Sequence, residues 1–283
     1  MNPNDHNRST DSVFVDGTEV PYYAAGASQG DRPVLVMVHG STGSTDSHYG
    51  YLFPMLAFRQ RVVSIDLRQP AQDGALTLTQ LVRQVGAVID RVSGGKPVSL
   101  MGYSLGAVVA AAVAAERPDG VRNLMLVAGW MKTDAHQQLR NGIWRELRST
   151  SSQAIRNTML FCAFSAGFIA ARTPQELAGM AEKITLDGFV DQQMDLNGRI
   201  DIVDQVSKIR ATTLVVGCTQ DQMVPKAHSL QLFGAIEDAR YTEIDSGHAV
   251  VFERPAELLR LVDSFLREPS ASAAGSILPA SRP

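Results

Sequence analysis

The sequence predicts an α/β fold, a mostly parallel eight-stranded sheet flanked by helices and carrying one helical insertion. Short apolar runs alternate with helical patterns along most of the chain, and parallel neighbours need such crossovers to bring the chain back. Several runs are apolar at every position, as strands buried on both faces are. The rhythm breaks once, over residues 131–207, into helical segments alone.

The first strands read as a hairpin, SVFVDG and TEVPYYA, with Asp16-Gly17 at the positive-φ turn. Val34 to Val38 (VLVMV) forms a buried strand ending in His39-Gly40, and RVVSIDL forms the next, ending at Asp66. A helix follows from Thr77, where Thr77 and Gln80 have capping-box spacing and Leu78, Leu81, Val82, Val85, Val88 and Ile89 repeat at helical intervals. Strand PVSLMGY leads directly into an alanine-rich helix, Leu105 to Glu116, and strand LMLVAG comes next. Within the insertion, Thr173-Pro174-Gln175-Glu176 combines an N-cap, a first-turn proline and a capping-box glutamate. Strand TTLVVGC, a helix near Lys226 to Phe233, strand ARYTEID and a helix from Pro255 to Leu266 complete the core.

The predicted organisation is therefore a polar, flexible N-terminus (1–12), a core in two pieces (13–130 and 208–267), a helical lid (131–207) and a flexible tail (268–283). The tail, PSASAAGSILPASRP from Pro269, is too poor in apolar residues to be expected to order itself.

Of the 283 residues 45% are apolar and 19% charged, enough to bury a sizeable core. A formal net charge of −3 offers no broad positive field for nucleic acid or an anionic membrane, so the expected partner is a small molecule. No apolar run is long enough for a membrane span, and MNPNDHNRSTDS lacks the apolar stretch of a secretory leader, which leads to the expectation of a cytoplasmic protein. Cys162 and Cys218 lack disulfide or zinc spacing and read as buried small hydrophobes. No metal or organic cofactor is implied, and no patch sets an oligomeric state.

Gly102-Tyr103-Ser104-Leu105-Gly106 sits where a buried strand turns sharply into a helix. The glycines allow the tight turn and close packing, and the serine is pushed out over the helix N-terminus, where a developing anion is favoured. Three further segments follow the same order as in the α/β-hydrolase family, which the chain resembles from about Val13 to Arg267. His39-Gly40-Ser41 resembles the family's HG loop. Asp221, in GCTQDQMVP, resembles its acid position, and His248, in Ser246-Gly247-His248, its base.

The resemblance implies an α/β-hydrolase fold without a cofactor, with Ser104 as nucleophile, His248 as base and Asp221 as its orienting acid. It also implies that the backbone N–H groups of Ser41 and Leu105 form an oxyanion hole. Where many relatives have DLRGHG, this chain has Asp66-Leu67-Arg68-Gln69-Pro70, a departure that predicts a different loop and pocket.

Other residues have blander readings. His39 is expected to order its loop, Asp66 to be structural and Asp245 to cap a turn. Asp134 follows a strand end where some relatives place the acid, and so competes with Asp221. His136 and His228 are expected on solvated helix faces. Trp144, Phe161, Phe164 and Phe168 are expected to pack the lid; Trp130, Met131 and Tyr103 are expected to touch substrate.

The activity implied is hydrolysis of an ester, thioester or related acyl bond of a small hydrophobic metabolite, with carbon–carbon bond hydrolysis also compatible. A serine rather than an aspartate nucleophile disfavours dehalogenation and epoxide opening. The alternatives are an acyltransferase or acyl-eliminating lyase using the same three residues, and a non-catalytic ligand-binding protein. The substrate is not legible, because this fold serves many specificities.

Overall fold

The apolar runs become the middle of one sheet because helices cover both of its faces. In the computed structural model, which describes residues 8–30, 32–72 and 74–280, the strands are β1 (Ser9–Val15), β2 (Thr18–Ala25), β3 (Leu35–Val38), β4 (Val62–Ile65), β5 (Val98–Tyr103), β6 (Val121–Val127), β7 (Thr212–Cys218) and β8 (Ala239–Ile244). Their order in the sheet is β1-β2-β4-β3-β5-β6-β7-β8. β1 and β2 pair antiparallel through the Asp16-Gly17 turn, whose φ angles of 50° and 82° match the twist of the strands. β2 also meets β4 antiparallel, and every later pairing is parallel.

Helices α1 (Thr45–Tyr49), α2 (Leu52–Ala57), α3 (Leu78–Val92) and α4 (Leu105–Glu116) lie in the first half of the core. Every residue of α4 from Leu105 to Ala115 is buried, which its alanines and valines permit without a polar face. Thr77 and Gln80 form both halves of the capping box on α3, and Thr173 and Glu176 do the same in the insertion. The insertion comprises α5 (Ala135–Thr150), α6 (Ser152–Ala163), α7 (Ala166–Ala170), α8 (Pro174–Glu182), α9 (Gly188–Asn197) and α10 (Val203–Val206). It leaves the core after β6 and returns at β7. The core then finishes with α11 (Lys226–Ala235), α12 (Val250–Glu253) and α13 (Pro255–Arg267), which packs Leu258, Leu259 and Val262 onto the sheet. Among the described residues no helix is long and apolar enough to cross a membrane.

Several expectations are corrected. β1 begins at Ser9, inside the segment read as a flexible N-terminus, because backbone pairing with β2 orders polar residues. The tail lies along β8: Gly275 N–H donates to Ala239 O, Tyr241 N–H to Ser276 O and Leu278 N–H to Tyr241 O. It covers an edge strand with main-chain bonds, which composition does not register. Deleting residues 271–283 should therefore cost about 3 kcal/mol, taking three such bonds at roughly 0.5–1.5 kcal/mol each. Urea unfolding measures this, and an unchanged midpoint would mean the tail is not anchored.

Phe161 is 63% exposed and belongs to none of the core clusters it is expected to join. Trp144 packs the insertion with Ile155, Val190 and Met194, while Phe164 stacks on Phe168 at 4.6 Å between ring centroids. Cys218 is buried, whereas Cys162 is only partly so. His136 is exposed as expected. His228 is not: it is buried on α11, with Nε2 3.2 Å from Oδ2 of Asp134. Asp134 also caps α5, so it is committed to joining the insertion to the core.

Candidate active site

The end of β5 places Ser104 in a conformation few side chains adopt, φ 57° and ψ −123°. Such backbone strain persists where neighbours over-determine it. A Cβ on Gly102 would come within 2.1 Å of Gly106 O, and one on Gly106 within 2.1 Å of Val38 O, so only glycines let β5, α4 and β3 meet here. Ser104 N–H donates to Val127 O of β6, fixing the turn to the neighbouring strand.

Two other loops at the same sheet edge converge on Ser104. His248, after β8, has Nε2 2.8 Å from Ser104 Oγ and Nδ1 2.6 Å from Asp221 Oδ2. Asp221, after β7, accepts at Oδ1 from the N–H groups of Met223 and Val224, both at 2.8 Å. With both oxygens engaged, the carboxylate cannot rotate away from His248. Asp245, read as a turn cap, accepts from Thr219 Oγ1 and Gln220 Nε2 and so ties the Asp221 loop to the His248 loop. Tyr103 O–H donates to His248 O at 2.9 Å. Burial holds that phenol well above its ordinary pKa, so it remains a donor.

The HG loop faces the serine from β3. His39 is buried; Leu67 N–H donates to its Nε2, which leaves Nδ1 to donate to Gly40 O at 2.8 Å. Burial lowers its pKa, so the neutral ring braces backbone, as expected of it. Asp66 accepts from Thr45 N–H and is structural too. The departure at Asp66–Pro70 is held by Gln84, which accepts from Arg68 N–H and donates to Arg68 O. Ser41 and Ser104 line one cavity, and Leu105 opens α4, where its N–H has no acceptor within the helix.

These features coincide with a family match. The model of the alpha/beta hydrolase fold matches residues 33–255. The chain belongs to the α/β-hydrolase family. Among α/β-hydrolase relatives, pyrrolizixenacetamide deacetylase of Xenorhabdus hominickii is 30% identical over 246 residues, covering 84% of this chain and 92% of that protein. A protein of Escherichia coli named for carbamate hydrolysis, RutD, is 28% identical over 240 residues, covering 80% and 84%. Among solved structures, the enol-lactonase of Burkholderia xenovorans LB400 superposes with a TM-score of 0.77 at 22% identity, covering 91% of this chain and all of that one.

The α/β-hydrolase core and its insertion line a cavity of about 340 Å³ that reaches Ser104 and His248. Trp130 lines it, held by an Nε1–H donation to Thr133 Oγ1, and Tyr103 lines it too. Met131 does not; it packs against the main core, because the chain turns there to bond Ile202 N–H through its carbonyl.

Residues not singled out in the sequence shape the rest. Asn197 Nδ2 donates to Ser41 Oγ, and Gln193 Oε1 accepts from Thr42 N–H, so α9 steadies the HG loop at its positive-φ residue, Thr42. His48 Nδ1 accepts from Gly40 N–H; burial pushes its pKa down to about 3, helped by repulsion from His39 and His248. Glu253 accepts from Ser165 N–H, Ser165 O–H and Gly247 N–H, joining the insertion to the loop before His248. Only the fold brings these partners together, so no local signal marks them.

Tyr103→Phe is expected to cost about 1 kcal/mol in urea unfolding, the worth of one buried hydrogen bond whose acceptor keeps a second donor in Val250 N–H. A neutral outcome would show that the phenol does not secure the His248 loop.

Proposed function

We propose that the protein is a serine hydrolase that cleaves an ester, thioester or related acyl bond of a small, largely hydrophobic metabolite through an acyl-enzyme on Ser104. The observation that carries this reading is the unbroken contact line Ser104 Oγ, His248, Asp221, at 2.8 and 2.6 Å. His248 Nε2 takes the proton as Ser104 Oγ attacks the carbonyl carbon; Asp221 holds the other ring nitrogen as the donor and stabilises the imidazolium. The backbone N–H groups of Ser41 and Leu105 receive the oxyanion. Collapse expels the leaving group with the proton from His248. Water, deprotonated by the same ring, then releases the acid.

The insertion acts as a lid, closing the cavity with Met159, Leu160, Phe164 and Met180, apolar side chains suited to an apolar substrate body. Methionines adapt to irregular shapes. The relatives named for deacetylating an acetamide and for carbamate hydrolysis support hydrolysis over acyl transfer, and extend the candidate bonds to amides.

The test is hydrolysis of a chain-length series of p-nitrophenyl esters, with labelling by a fluorophosphonate. The expected result is labelling of Ser104 and turnover that falls once the acyl chain outgrows the cavity. Labelling without acid release would favour a transferase or lyase, and absence of labelling would overturn the serine mechanism.

A further inference from the structure

Acyl chemistry leaves one group in the cavity unexplained. Arg140 of α5 lines it together with Ser104 and His248. Its Nη2 donates to Asn141 Oδ1 at 3.0 Å, but its Nε is buried without an acceptor. No carboxylate among the described residues forms an ion pair with it. The carboxylate whose charge it feels is Asp221, whose oxygens are already taken by His248, Met223 and Val224.

Burial pulls the Arg140 pKa down, yet a guanidinium keeps its proton under any working condition. The molecule therefore holds a half-buried cation, without a carboxylate partner, on the wall of its substrate cavity. A partly buried charge is completed by an anion, because leaving it unpaired there has a cost. The rest of the wall agrees. Lys183 is a second cation on the lining, and the lining contains no Asp or Glu, although the chain as a whole is net negative.

We infer that the substrate carries a carboxylate remote from the scissile acyl bond, and that Arg140 is the residue that binds it. This rests on the hydrolase reading for the identity of the site, and it names the substrate class: an apolar body with an acyl bond at one end and an acid group at the other. The planar guanidinium supplies the donors a carboxylate needs through the Nη hydrogens that Asn141 does not take. Because Arg140 belongs to the insertion, the bound carboxylate would also draw α5 onto the core, coupling anion recognition to closure over Ser104.

The test compares mono-p-nitrophenyl adipate with its methyl ester, which has the same body and no charge. Wild-type kcat/KM is expected to favour the free acid by at least about tenfold. That ratio should collapse toward one in Arg140→Gln and be partly restored in Arg140→Lys. A wild type that prefers the methyl ester, or an Arg140→Gln ratio equal to that of the wild type, overturns the proposal; the wild-type comparison stands whether or not the variant folds. Calorimetric binding of the same two compounds to Ser104→Ala separates the two readings. Tighter binding of the free acid without wild-type turnover of either would keep the anion site and refute the hydrolase. Equal binding of both would refute the anion site and leave the hydrolase intact.

Discussion

Ser104→Ala should lower kcat for ester hydrolysis by about 10⁵-fold or more, the scale of removing a nucleophile that acts as a unit with its base. The fold should survive the change. Serine and alanine share the Cβ that makes φ 57° costly at this turn, so the strain is the same in both. The hydroxyl forms a hydrogen bond to His248 Nε2, a contact on the wall of the cavity. The melting temperature is therefore expected within a few degrees of wild type. Turnover in the variant above about one per cent of wild type, with the variant fully folded, would remove Ser104 from the chemistry. Fluorophosphonate labelling adds a check free of substrate choice, since the variant should not label at all.

How far the sequence discloses this site depends on the range of the interactions involved. The turn at Ser104 is local: β5, the two glycines and α4 are contiguous, and their packing needs each residue where it stands. Asp221 and His248 are distant in sequence, yet each follows a recognisable strand, TTLVVGC and ARYTEI, so chain order and the family resemblance place them. What fails is what depends on tertiary neighbours. His228 sits on a helix without a strong apolar face, and its burial follows from the approach of Asp134 at the start of α5. The tail is poor in apolar residues and is ordered by main-chain bonds to β8, to which composition is blind. Met131 follows Trp130 in sequence and packs against the same core cluster, but only Trp130 also lines the cavity. Arg140 reads as one charge among many on an amphipathic helix, and only its place on the cavity wall distinguishes it from a surface side chain.

Asp221→Asn gives the second large effect, and hydrogen-bond polarity dictates it. The carboxylate accepts at one oxygen from Met223 and Val224 N–H and at the other from His248 Nδ1. Asparagine must keep its carbonyl oxygen toward the two backbone donors, since turning its NH₂ there would set donor against donor in a buried site. The NH₂ then faces Nδ1, which can be satisfied only by becoming an acceptor. The ring proton moves to Nε2, the nitrogen that the proposed mechanism requires unprotonated to take the Ser104 proton, and the proposed base is lost with its geometry intact. The expected loss in kcat is about 10⁴-fold, with the rate of phosphonate labelling falling in parallel. The melting temperature should change little, because the same contacts are made with one donor and acceptor exchanged. Asp134→Asn is the matching control: it weakens the cap on α5 and the tie to His228 but touches neither ring nitrogen of His248, so activity should stay within a few-fold of wild type. If Asp134→Asn were the variant that lost activity and Asp221→Asn the one that kept it, the acid would lie at the end of β6 instead of β7.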